Sequence, residues 1–278
     1  MSLLLGRGGR RFILIVCMVL GGGFASHGAF AAGDGEAAWN DIRQALFEDR
    51  PIAAADGIIG LEAPYRAYDA AIVPITIAAQ FAQSPTRYIK SITLIIDENP
   101  APVAAVFHMT PMSGDASIST RVRVNAYTHV RAVAETNDGQ LYMATKFVKA
   151  SGGCSAPANK DADQSLARLG KLKLKQSKAV RMSEPNRVQL LISHPNYSGL
   201  QMDQITRLYV PAHFVQDIEV SYEGQTVMTV EGAISLSEDP SIHFSFVPDG
   251  PGDLSVKVRD SDDMSFFDSW NISSDTGS

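Results

Sequence analysis

Cys154 is the residue with the most chemistry to offer. It stands in Ser151-Gly152-Gly153-Cys154-Ser155-Ala156-Pro157-Ala158-Asn159, a run without a large apolar side chain. The other cysteine, Cys17, lies in an N-terminal segment expected to be removed, which leaves one thiol in the mature chain. A structural cysteine wants packing neighbours. This one has glycines, which let the backbone approach another surface closely. The sequence therefore predicts an exposed thiol with a reactive or intermolecular role, because an oxidising compartment normally pairs cysteines. Lys149 and Lys160 are near enough in sequence to favour the thiolate.

Other chemistries find less support. A cysteine hydrolase needs its nucleophile held beside a histidine and an oxyanion hole. The mature histidines, His108, His129, His194, His213 and His243, are scattered over both halves. His194 and His213 fit structural roles at strand ends. One cysteine and dispersed histidines give no metal-ligand pair at a recognised spacing, so no metal and no cofactor are expected. No glycine-rich phosphate loop precedes a helix.

The elements that must position Cys154 follow from patterning. Arg10 and Arg11 precede the apolar run from Phe12 to Leu20, and Ala29-Phe30-Ala31 fits a small-x-small cleavage rule. A Sec-type signal peptide over 1–31 and a periplasmic location are expected, with no membrane anchor in the mature form. Losing Arg7, Arg10 and Arg11 takes the 24 basic side chains to 21 against 30 acidic ones. That balance argues against nucleic acid as a partner. Trp39, Ile42, Leu46 and Phe47 predict a helix over Glu36–Asp49, stopped by Pro51. Short β-rich runs with turn residues between them then predict strands at Ile58–Ala63, Ala71–Ala79, Tyr88–Asp97, Val103–His108, Ser117–Asn125, Thr128–Glu135 and Leu141–Val148. In the fifth of these, Arg121 and Arg123 fall on the wet face. A basic stretch over Asp161–Arg187 reads as a linker. Leu166, Leu169 and Leu172 there favour a short helix, although Lys171-Leu172-Lys173-Leu174-Lys175 also suits a strand. A second series follows at Val188–Ser193, Tyr209–Pro211, Phe214–Tyr222, Thr226–Glu231, Ser241–Phe246, Leu254–Arg259 and Ser265–Trp270. The expected fold is all-β: a sandwich over 36–150, a cysteine-bearing loop and helical or irregular linker over 151–187, and a second sandwich over 188–272.

Several of these residues resemble a known family. Gly152-Gly153-Cys154 is similar to the glycine-flanked cysteine of the Y subunit of the sulfur-oxidation (Sox) carrier, and Asp97-Glu98-Asn99-Pro100-Ala101-Pro102 with Phe107 looks like its strand-turn-strand. Ile192-Ser193-His194-Pro195 leading to Gly199, then Pro211-Ala212-His213-Phe214 before Ile218, Val220 and Tyr222, resemble the Z subunit. The order along the chain is that of a fused SoxYZ-type carrier associated with quinoprotein dehydrogenases. The resemblance implies an immunoglobulin-like sandwich for each half and no catalytic residue of its own. It also implies covalent attachment of a sulfur intermediate, with thiosulfate as the family's cargo, at Cys154. In the family two further glycines end the chain after the cysteine. Here Ser155-Ala156-Pro157 follow and the chain continues.

A carrier makes physical sense of the loop. A tethered nucleophile gains effective concentration at each partner, and Gly152, Gly153 and Ser155 supply a flexible arm. The expected partners are periplasmic redox or sulfur-processing enzymes, a quinoprotein dehydrogenase and its cytochrome among them. The competing reading is a periplasmic adaptor or binding module for such a system, with Cys154 incidental.

Overall fold

Trp39 and Phe47 give the N-terminal helix something to bury, and a computed structural model shows where. It describes residues 34–157, 167–176 and 179–273; the expected signal peptide and positions 158–166 of the expected linker lie outside the described residues. Helix α1 (Asp34–Phe47) lays Trp39 and Phe47 on Ile95, Val133 and Leu141. Arg131 sits under the Trp39 ring, 4.4 Å from its centroid, and is paired with the buried Asp97 carboxylate at 2.8 Å.

The strands alternate as expected wherever one face meets water. The first series is β1 (Ile52–Ala54), β2 (Ile59–Glu62), β3 (Val73–Ala79), β4 (Ile89–Ile96), β5 (Val103–Met109), β6 (Ile118–Val122), β7 (Thr128–Thr136) and β8 (Leu141–Val148). The second is β9 (Leu172–Gln176), β10 (Asn186–Ile192), β11 (Val215–Tyr222), β12 (Gln225–Gly232), β13 (Ser241–Phe246), β14 (Gly252–Asp260) and β15 (Ser265–Ile272). In β3, Val73, Ile75 and Ile77 face the core and Pro74 faces out; in β14, Leu254, Val256 and Val258 point inward. In β4 both Ile95 and Ile96 are buried, because α1 covers the sheet's outer side there.

Two segments depart from expectation. Leu172–Gln176 is a strand, not a helix: it pairs antiparallel with β10 and packs Leu172 and Leu174 on the core, leaving Lys173 and Lys175 exposed. The two-residue period prevails because β10 offers an open edge. Gly170 makes the preceding turn at φ 75°, where a Cβ would lie 1.9 Å from the Phe266 ring. Tyr209–Pro211 forms no strand; Tyr209 makes an isolated bridge to Met202 within a long loop.

The two series share their sheets. One sheet runs β1-β8-β7-β4-β5-β12-β11-β14-β15 and the other β2-β3-β6-β13-β10-β9. The seams are β5 with β12, where Ala105–Met109 pair antiparallel with Met228–Gly232, and β6 with β13, at Ser119 and His243. Two immunoglobulin-like sandwiches are thus joined edge to edge over one apolar cluster that reaches from Ala55 to Ile272. Separating them would bare two sheet edges in each half and cut that cluster. A single unfolding transition, coincident by near- and far-UV circular dichroism, is expected for the intact protein. Two resolved transitions would show that the seams carry little energy.

Candidate functional site

The segment that carries Cys154 enters from β8. Lys149 donates its N–H to the Tyr65 carbonyl (2.8 Å), and its own carbonyl accepts from Ala67 N–H (3.1 Å). Its ammonium lies 4.8 Å from the centre of the Tyr65 ring, so its place is on an aromatic face. Lys160 lies outside the described residues. Beyond Ala150 the chain folds back onto the end of the sandwich. Gly152 N–H donates to Asn125 O (2.8 Å) and Gly153 N–H to Val124 O (3.0 Å). Ser198 donates its hydroxyl to the Cys154 carbonyl, and Gln201 Nε2 donates to Ala156 O (2.9 Å).

The thiol is therefore buried, at 0% exposure, where the sequence predicted an exposed one. The prediction counted only sequence neighbours. The cover comes from elsewhere: the 123–125 segment on one side and the 196–201 loop on the other. Ser155 and Pro157 remain exposed. Gly153 is needed here for closeness, since a Cβ would stand 2.1 Å from Ala70 O and 2.6 Å from Val124 O. Gly152 adopts φ 77° and is unobstructed apart from Ser155 Oγ at 3.9 Å.

Arg123 is the second correction. Strict alternation puts it on the wet face, yet it is 1% exposed. Strand β6 ends at Val122. Beyond it, Arg123 N–H turns to Ser235 O and Val124 N–H to Ala70 O, so alternation stops and the arm roofs the side chain. The guanidinium reaches the Gly153 carbonyl through Nη1 (3.3 Å) and the Asn196 carbonyl through Nη2 (3.4 Å); its Nε makes no hydrogen bond. Burial pushes the Cys154 thiol up to about 11, and the Arg123 charge works against that rise. Burial likewise lowers the Arg123 pKa, opposed by Cys154, Glu238 and Asp69. No motif pointed to Arg123; only the fold brings it under the cysteine.

Two asparagines set the jaws that hold the arm. Asn99 donates Nδ2 to Arg123 O (2.8 Å) and to Ser235 Oγ (2.9 Å), and accepts from Asn125 N–H (2.8 Å) through Oδ1. Asn196 donates to Leu236 O (2.8 Å) and accepts from Val215 N–H (2.9 Å). The Asp97–Pro102 and His194–Gly199 motifs thus shape opposite sides of one seat, one from each half.

Beside the second jaw lie His194, His213 and Asp260, whose ligand atoms fall within 4.8 Å of one another. Hydrogen bonding assigns them a structural part. Asn196 N–H donates to His194 Nδ1 (3.0 Å), which puts the ring proton on Nε2, facing Asp260 Oδ2 at 3.4 Å. A nitrogen that bears this proton has no lone pair for a metal. Asp260 also accepts from His213 Nε2 (2.8 Å) and from the N–H groups of Asp262 and Met264 (3.0 Å each). Burial would raise the Asp260 pKa, but these bonds outweigh it and hold the group below the usual carboxylate range. Burial and the neighbouring His213 pull His194 down to about 4, so it is neutral.

Among the described residues a single thiol, Cys154, is gripped where two fused immunoglobulin-like halves meet. Residues 43–154 match the family Sulfur oxidation protein SoxY, and residues 174–271 match Sulphur oxidation protein SoxZ. The chain joins a SoxY domain to a SoxZ domain and belongs to the fused SoxYZ-type sulfur-oxidation carriers. Among solved structures it is similar to the sulfur carrier protein SoxY from Chlorobium limicola f thiosulfatophilum, at 26% identity over 42% of this chain and 94% of that one, TM-score 0.35. It is also similar to a superoxide reductase (neelaredoxin) from Ignicoccus hospitalis, at 18% identity over 42% of this chain and 88% of that one, TM-score 0.28. No curated protein matches the sequence.

Proposed function

We propose that the protein holds a sulfur-oxidation intermediate covalently on Cys154 and presents it to partner enzymes by releasing the arm from its seat. The observation that carries this reading is how the arm is held. Five hydrogen bonds retain it: from Gly152, Gly153, Ser198, Gln201 and Arg123. At roughly 1 kcal/mol net each they contribute about 5 kcal/mol. Freeing five or so residues returns about 1 kcal/mol of backbone entropy apiece. The entropy offsets most of that hold and burial of the Cys154 side chain adds to it, so the docked arm is favoured by about 3 kcal/mol and the released arm is a minor, reachable state. A released arm restores an ordinary solvated thiol; a docked one keeps it protonated and covered.

The same reading has the mature protein exported to the periplasm, where burial would spare a solitary thiol from random oxidation. Its partners there are sulfur-processing or redox enzymes, with a quinoprotein dehydrogenase and its cytochrome among them. Gly152, Gly153 and Ser155 act as the arm, and the domain limits are those of the two sandwiches. The intact mass of protein purified from its native compartment, before and after reductant, is the test. We expect an added mass that reductant removes and that Cys154→Ser abolishes. An unmodified mass under sulfur-oxidising growth would leave only a non-covalent adaptor role.

A further inference from the structure

We propose that Arg123 is the anion-recognition residue of the seat, so that the docked arm retains a Cys154 adduct ending in a negatively charged oxosulfur group in preference to a neutral one. This rests on the carrier reading and gives that reading's cargo a recognising residue. Arg123 is 1% exposed, and its two hydrogen bonds, at 3.3 and 3.4 Å, are long for a guanidinium. Its Nε has no hydrogen-bond partner, although burying a polar group without one is costly. One of the two bonds is to Gly153 O, the carbonyl next to Cys154 in the chain, which sets the guanidinium against the cysteine's own backbone. Glu238 and Asp69 act on its charge from the surrounding loops, but a neutral thiol uses none of it. An adduct bearing an oxoanion would supply the acceptor, and Arg forms paired charge-assisted bonds with such groups.

Two reagents install the comparison on the full mature chain. With tetrathionate, the Cys154 thiolate attacks a central sulfur; a new S–S bond forms, the central S–S bond breaks, and thiosulfate leaves with the electron pair. The product is Cys–S–S–SO3−, and the thiol proton goes to buffer. Methyl methanethiosulfonate likewise gives the neutral Cys–S–S–CH3, with methanesulfinate as leaving group. The rate of release by dithiothreitol is measured in native protein and divided by the rate for the same adduct in urea. We expect native protein to protect the anionic adduct at least tenfold better than the neutral one. Arg123→Met should erase that preference, and Arg123→Lys, which keeps the charge but not the paired donors, should keep part of it. Equal protection of both adducts in the wild type overturns the proposal, and so does an undiminished preference in Arg123→Met. Should Arg123→Met not fold, Arg123→Gln, which keeps a donor without the charge, takes its place under the same criterion. Because the adducts are installed chemically, this result is independent of whether native protein carries cargo, which the mass measurement decides.

Discussion

Native protein at pH 7.5 is expected to react with a small alkylating reagent at Cys154 on the order of 100-fold more slowly than unfolded protein. The thiolate is the nucleophile, and burial moves the thiol from its reference of 9.0 up to about 11, a shift of two pH units and so a hundredfold fewer thiolates. Steric cover at 0% exposure adds to this. The rate should climb tenfold per pH unit and level off only near 11. The same shift has a stability consequence. A group that holds its proton more tightly when folded stabilises fully below its unfolded pKa and loses that contribution as pH rises through its folded pKa. Between pH 9 and 11 the protein should therefore lose up to about 3 kcal/mol from this thiol. Cys154→Ser should flatten that part of the profile. Labelling as fast in native as in unfolded protein would mean that the arm spends most of its time released.

Gly153→Ala should throw the arm out. The new Cβ would meet Ala70 O at 2.1 Å and Val124 O at 2.6 Å, and both are backbone atoms that cannot turn aside. The arm, docked by a margin of only about 3 kcal/mol, is what yields. Labelling of Cys154 should rise at least tenfold toward the unfolded rate, with the unfolding midpoint little changed. Gly152→Ala is the control: its Cβ meets nothing closer than Ser155 Oγ at 3.9 Å and costs only the ~1 kcal/mol strain of a positive φ. If Gly153→Ala labels as slowly as the wild type, the glycine is not what keeps the arm seated.

Most of the architecture was legible because alternation is a local signal. Val73, Ile75 and Ile77 announce β3 unaided, as Leu254, Val256 and Val258 announce β14. Lys171–Lys175 was ambiguous because a leucine at every second position and one at every third overlap over so short a run; the vacant edge of β10 resolved it. The seams could not be read, since β5 and β12 are more than a hundred residues apart and nothing in either marks the other as its partner. The site failed for a related reason. Cys154 was found from its composition, but its burial depends on Val124, Asn125 and Ser198, and Arg123 on the end of a strand whose last residue alternation does not mark. The Asp97–Pro102 motif was seen, while the work of Asn99 in bracing Arg123 and Asn125 was not.

The seam between β5 and β12 also fixes stoichiometry. Were the two domains separate chains, the seat for the cysteine arm would exist only while they were associated, and dilution would empty it by mass action. Here both jaws arrive on one chain. Pairing is intramolecular, with an effective concentration set by the connecting segment and not by expression level. Half a carrier cannot persist in solution, and neither half can be exchanged for a rival's. The thiol is thus made and delivered together with the seat that holds it.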